Sequence, residues 1–138
     1  MRPLAFILTF GCGSLAEPGT TERVVATIIL SGDSTTISAP ASVPVHTPAN
    51  IEFITFAGGC IGKGETIATV EGLVAQVLAY QYIYHPKAGE ACTADLRFDR
   101  NVASVRFDVS GTATIRIVGR KSPGGDQATL ARAITVTP

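Results

Sequence analysis

A chain of 138 residues is long enough for one domain with a sizeable core and too short for two ordinary ones. Eleven Lys and Arg balance eleven Asp and Glu, so there is no net field to gather nucleic acid, and the charge argues against such a partner. Trp is absent, and 14 Gly and 8 Pro punctuate runs of Val, Ile and Thr, a composition that favours strands over helices.

The chain opens with MRPLAFILTFGCGSLAEPGT. One positive charge at Arg2, an apolar run over residues 4–10, then small residues and a Pro-Gly turn are the layout of an export signal. The run falls well short of the roughly 20 apolar residues of a membrane-spanning helix. Gly11 before Cys12 resembles a bacterial lipoprotein signal, in which the cysteine is lipidated and becomes the mature N-terminus. Ser14, Leu15 and Ala16 offer ordinary cleavage before Glu17 as the other route. The first places the protein in the cell envelope on a lipid anchor; the second removes Cys12 and makes the protein secreted or periplasmic. Either way residues 1–20 are signal and short linker, and residues 21–138 are the folded domain.

Residues 21–30, TERVVATIIL, form a β-branched run that ends at the turn signal SGDS. Pro40, Pro44 and Pro48 then forbid a helix or a central strand, which leaves an edge strand and crossings between sheets. IEFITF, residues 51–56, reads as a strand buried in a sandwich, followed by a glycine-rich loop, AGGCIGKG. Gly58, Gly59, Gly62 and Gly64 are expected to supply positive φ angles in that loop. Residues 65–72 and 73–86 give a short and a long strand, and in the long one Tyr80, Tyr82 and Tyr84 share one face. KAGEA turns the chain toward Cys92.

The later strands alternate. Ala94, Leu96 and Phe98 are expected to point into the core, opposite Thr93, Asp95, Arg97 and Asp99. Ala103, Val105, Phe107 and Val109 do the same in the next run, and Ala113, Ile115 and Ile117 in the one after. The last strand turns Leu130, Ile134 and Val136 inward; Arg132 shares their parity, which a bulge would relieve. Seven or eight strands at intervals of roughly 8 to 14 residues, with no helix signal, predict an all-β antiparallel sandwich. The strand pattern over residues 21–138 resembles an immunoglobulin-like module of bacterial exported proteins. The resemblance implies a non-catalytic binding or structural domain.

FAGGCIGKGET nearly spells a phosphate-binding loop, but Gly64 stands where the metal-binding Ser or Thr belongs, and the following segment is β-branched instead of helical. No nucleotide is expected. His46 and His85 are the only histidines, the first two residues before Pro48 and the second directly before Pro86, and no GxSxG nucleophile turn occurs. They read as solvated, leaving no catalytic residue, no metal site and no cofactor. Asp95, Asp99 and Asp108 alternate with Arg97, Arg100 and Arg106, so surface ion pairs are favoured over a calcium site.

Three cysteines leave one over after any single bridge. Lipidation or cleavage accounts for Cys12, so Cys60 and Cys92 are expected to form a disulfide in an oxidising compartment, tying strand ends at one pole; a free thiol or a metal ligand is the competing reading. The tyrosine stripe is the candidate contact surface, for a protein or glycan partner at the cell surface. The membrane is reached only through the lipid anchor, and the oligomeric state is not written in the chain. An accessory subunit of an envelope complex, or less readily an envelope enzyme or metal-handling protein, are the other functional readings.

Overall fold

The computed structural model describes residues 19–30, 33–122 and 125–138. Cys12 and the expected signal lie outside them. The domain is all-β, with no helix among the described residues. Its strands are β1 (Thr20–Val25), β2 (Thr27–Leu30), β3 (Asp33–Ser34), β4 (Ser42–Pro44), β5 (Ala49–Gly58), β6 (Ile61–Glu71), β7 (Val74–His85), β8 (Leu96–Val105), β9 (Gly111–Lys121) and β10 (Gln127–Thr137).

They join into one curled, hydrogen-bonded sheet in the order β1-β7-β9-β2-β5-β8, with β6 on β7, β10 on β9, β4 on β10 and β3 on β2. The expected purely antiparallel pairing does not hold. β7 and β9 are parallel, as are β2 and β9, and β4 and β10. The expected edge segment is present: Ser38 bridges Glu52, and the three residues of β4 lie along the end of β10.

One edge of β7 serves two partners. Residues 74–78 pair with β9, and residues 80–85 pair with β1. The β-branched run 21–30 is therefore not one strand: it passes from β7 to β9 at Ala26, whose N–H donates to the Ala79 carbonyl (2.9 Å) while its own carbonyl accepts from the Arg120 N–H (3.0 Å). Gly119 permits this crossing, because a Cβ there would stand 2.7 Å from the Ala26 carbonyl and from the Ile28 side chain.

The core lies between the two curled halves. Ala75, Val77 and Ala79 of β7 and Ala113, Ile115 and Ile117 of β9 face Ile51 and Phe53 of β5 and Ala103 and Val105 of β8. Each large apolar side chain so buried contributes roughly 1.5–3 kcal/mol relative to exposure. Ala113, Ile115 and Ile117 are inward as the alternation predicts, and so are Ile134 and Val136, with Leu130 packed at the margin.

Four inward assignments, Ala94, Leu96, Phe98 and Val109, are corrected; Ala94 is exposed and precedes the first residue of β8. Leu96 and Phe98 are 56% and 60% exposed. The runs around Phe98 and Val105 are one continuous strand, and a strand cannot change inward parity without a bulge; β5 and β8 pair in unbroken register from Ala49↔Val105 to Gly58↔Leu96. Asn101, Ala103 and Val105, with Phe107 beyond, hold the inward parity and leave Leu96 and Phe98 outside. Val109 is also outside, past the end of β8, although Phe107 is fully buried.

Nor is there a bulge at Arg132. β10 keeps register with β9 from Gln127↔Arg120 to Val136↔Gly111, and the Arg132 guanidinium instead donates to the Ile37 carbonyl. The charge leaves the core by reaching across to the neighbouring segment, its stem lying along the sheet.

Candidate functional site

The disulfide, the glycine-rich stretch and the tyrosine stripe gather at one end of the domain, where β5 turns into β6, β7 ends and β8 begins. Cys60 occupies the turn between β5 and β6, and Cys92 the exposed segment between β7 and β8. They form the expected disulfide, with Cα atoms 5.3 Å apart. It ties strand ends at one pole.

The glycine-rich stretch is not a loop: Gly58 closes β5, Gly59 and Cys60 turn, and Ile61 to Gly64 already belong to β6. The positive φ angles expected at Gly58, Gly59, Gly62 and Gly64 are absent; the glycines with positive φ among the described residues are Gly72, Gly89 and Gly111. What Gly59 provides is space, since a Cβ there would stand 2.2 Å from the Thr93 carbonyl, next to the disulfide. Lys63 donates its Nζ to the Arg100 carbonyl (2.6 Å), so the lysine that suggested a phosphate cradle braces β6 against β8.

Arg97 makes a second brace, from its Nη2 to the Ile61 carbonyl (2.6 Å), and Thr66 a third, to the Asn101 amide oxygen (3.3 Å). Buried Asn101 also donates to Thr55 Oγ1 (2.9 Å) and to the Asp99 carbonyl (3.0 Å). Side chains thus join β6 to β8 where no backbone ladder does, closing the curl.

Tyr80, Tyr82 and Tyr84 share the outward face of β7 as expected, opposite Ala75, Val77, Ala79 and Gln81. Each is engaged within the domain. The Arg23 guanidinium lies 3.6 Å over the Tyr80 ring, a cation–π contact, and also pairs with Glu65. The Tyr82 hydroxyl donates to Glu65 Oε2 (3.0 Å) and the Tyr84 hydroxyl to Glu90 Oε2 (2.8 Å). Gly19 lies against Tyr84, where any Cβ would collide with the ring. The stripe presents edges and hydroxyls already in use, with Tyr82 its most exposed member.

These bonds move the phenol protons. Donation to Glu65 raises the Tyr82 pKa above its ordinary 10.0, with the carboxylate charge adding to it, and donation to Glu90 does the same at Tyr84. Glu65 is correspondingly held below 4.5, first by its own backbone N–H and then, against some desolvation, by Tyr82 and Arg23. The neutral phenol is favoured in the fold, so the contribution of each bond to stability is complete below the unfolded pKa and disappears as pH rises through the folded one. Ultraviolet titration of phenolate should show Tyr82 and Tyr84 ionising later than a free tyrosine. Glu65→Gln should bring Tyr82 back toward 10, and an unchanged curve would discard the assignment.

His46 and His85 are both at the surface, each beside a carboxylate: His46 Nδ1 lies 3.0 Å from Asp108 Oδ1, and His85 Nε2 lies 3.1 Å from Glu22 Oε2. They sit on different elements and do not meet. The carboxylates do not converge either. Asp99 pairs with Arg97 (2.9 Å), Asp108 with Arg106 (3.7 Å), and Arg100 reaches Glu52 on β5. No group of three metal-ligating side chains forms among the described residues.

The feature the strand pattern missed is the outer face at the start of β8. The Phe98 ring meets the Phe56 ring edge-on, centroids 5.5 Å apart, and Leu96, Phe56, Ile61 and Leu30 border a cleft of about 190 Å³. The signal was present as the parity switch between Phe98 and Ala103, which one unbroken strand cannot satisfy. Comparison of the chain with protein-family models, with characterised proteins and with solved structures finds no match.

Proposed function

We propose that this protein is an exported, non-catalytic binding or structural module of the cell envelope, held there by a lipid on Cys12. The observation that carries the reading is the Cys60–Cys92 bridge, because disulfides persist in oxidising compartments and are rare in the cytosol. The bridge uses two of the three cysteines and leaves the one that the signal pattern assigns to lipid. The all-β curled sheet with its core between two halves supports an immunoglobulin-like reading of the domain, and its parallel pairs make it a mixed variant of that plan. The partner is a protein or glycan at the cell surface.

Intact mass of the protein from its native membrane tests this directly. A diacyl or triacyl adduct on Cys12, together with a mass two hydrogens short, is the expected result. Cys12→Ala should move the protein from the membrane fraction to the soluble one. An unprocessed chain with both domain thiols free would end the proposal.

A further inference from the structure

We infer that the apolar patch beside the disulfide, formed by Leu96, Phe98 and the cleft next to them, docks on the lipid surface to which the chain is tethered. The inference rests on the proposed lipid at Cys12 and adds a contact made by the folded domain itself.

The exposed side chains of the patch lie on β8, with buried Phe56 of β5 beneath them. Leu96 stands opposite Gly58 and Phe98 opposite Phe56 in the β5–β8 register, and both side chains of β8 are more than half exposed. Two large apolar side chains side by side on an outer sheet face, next to a cleft lined mostly by apolar residues, gain nothing in water and mark a docking surface.

Where the chain enters the domain says what covers it. Thr20 pairs with His85 at the start of β1, and Ile83 pairs with Ile61, the residue after Cys60. The beginning of β1 therefore lies at the same end as the patch. The eight steps from Cys12 to Thr20 extend to no more than about 29 Å. A lipid on Cys12 keeps this end of the domain beside the bilayer, at the high local concentration that a short tether imposes.

The charges suit a lipid interface and not an acidic or basic protein. Arg97 is paired with Asp99 and Arg100 with Glu52, and Lys63 is bound to the Arg100 carbonyl. Asp95, which lines the cleft, offsets the charge of Lys63, so the rim of the patch is balanced and burial of apolar surface at the headgroup boundary supplies the attraction, with little dependence on salt.

The absence of Trp makes a clean probe available. Phe98→Trp and Leu96→Trp each place a single indole in the patch. Val109→Trp places one at the far end of β8, where Val109 is half exposed. Each protein, in the form the cell makes and with its intact mass measured, is mixed with vesicles of phosphatidylethanolamine and phosphatidylglycerol. Emission from positions 96 and 98 should move to shorter wavelength and be quenched by brominated lipid, at low and at high salt, while position 109 stays unchanged. The lipid keeps the chain on the vesicle in either case, so Leu96→Ser in the Phe98→Trp protein should lower the docked fraction, read as quenching by brominated lipid, on the order of tenfold, the fold remaining intact by circular dichroism.

Indoles at 96 and 98 that stay in water on a chain whose mass carries the lipid would overturn the docking and leave the anchor standing. A wavelength shift on vesicles in a chain without the adduct would uphold the patch and remove the Cys12 anchor. A shift that grows with protein concentration in the absence of vesicles would overturn the lipid assignment in favour of a second copy of the chain.

Discussion

Replacing Cys60 and Cys92 together by serine should lower the free energy of unfolding by about 3–4 kcal/mol. The bridge closes a sequence separation of 32 residues, and without it the unfolded chain recovers the loop entropy that the bond removes. That is a large share of the roughly 5–15 kcal/mol of an ordinary domain. The folded state loses order as well. The segment between β7 and β8 is exposed throughout and is held otherwise by the Tyr84–Glu90 hydrogen bond and the Lys87–Glu90 ion pair. Thermal unfolding of the double variant should fall by roughly 10–20 °C, and the natural protein should show the same drop when reduced. A midpoint that reduction does not move would mean the bridge is not formed in the molecule.

Gln81→Leu should cost about 2–5 kcal/mol, although leucine has nearly the same size. Gln81 is buried on the inward face of β7, where its Oε1 accepts from the Thr27 N–H (3.3 Å) and its Nε2 donates to the Phe56 carbonyl (2.8 Å). Thr27 and Phe56 form the single residue pair between β2 and β5, the link between the two halves of the curled sheet. Leucine would leave both backbone groups without this partner in a dry site, at about 1–3 kcal/mol each. Denaturant unfolding should show the loss, and the Thr27 amide should exchange with solvent faster than its neighbours in β9. Stability equal to the natural protein would show that another group satisfies the junction.

Gln81 also shows what alternation can and cannot tell. Its place between two tyrosines on the opposite parity puts it inward with Ala75, Val77 and Ala79, but only the neighbouring strands supply the two groups it bonds. Leu96 and Phe98 fail for a related reason. Each local pattern is consistent with an inward face, and only the continuity of β8 over both patterns forces one of them out. At Gly59 the residue type was informative and the physical cause was not: glycine reads as backbone freedom from the chain alone, whereas the close approach of Thr93 is a contact across 34 positions, from residue 59 to residue 93.

By itself the sequence determined the strand content, the core residues of β9, the shared face of the three tyrosines of β7 and the pairing of the two domain cysteines, because periodicity and cysteine number act within short windows or by simple count. Only the tertiary structure decided that β7 and β9 run parallel, that the first long run breaks at Ala26 to pass between them, that Lys63 braces β6 to β8, and that an apolar face is left at the start of β8. Those outcomes depend on which strands become neighbours, and that choice is made by the burial and hydrogen bonding of the whole sheet at once.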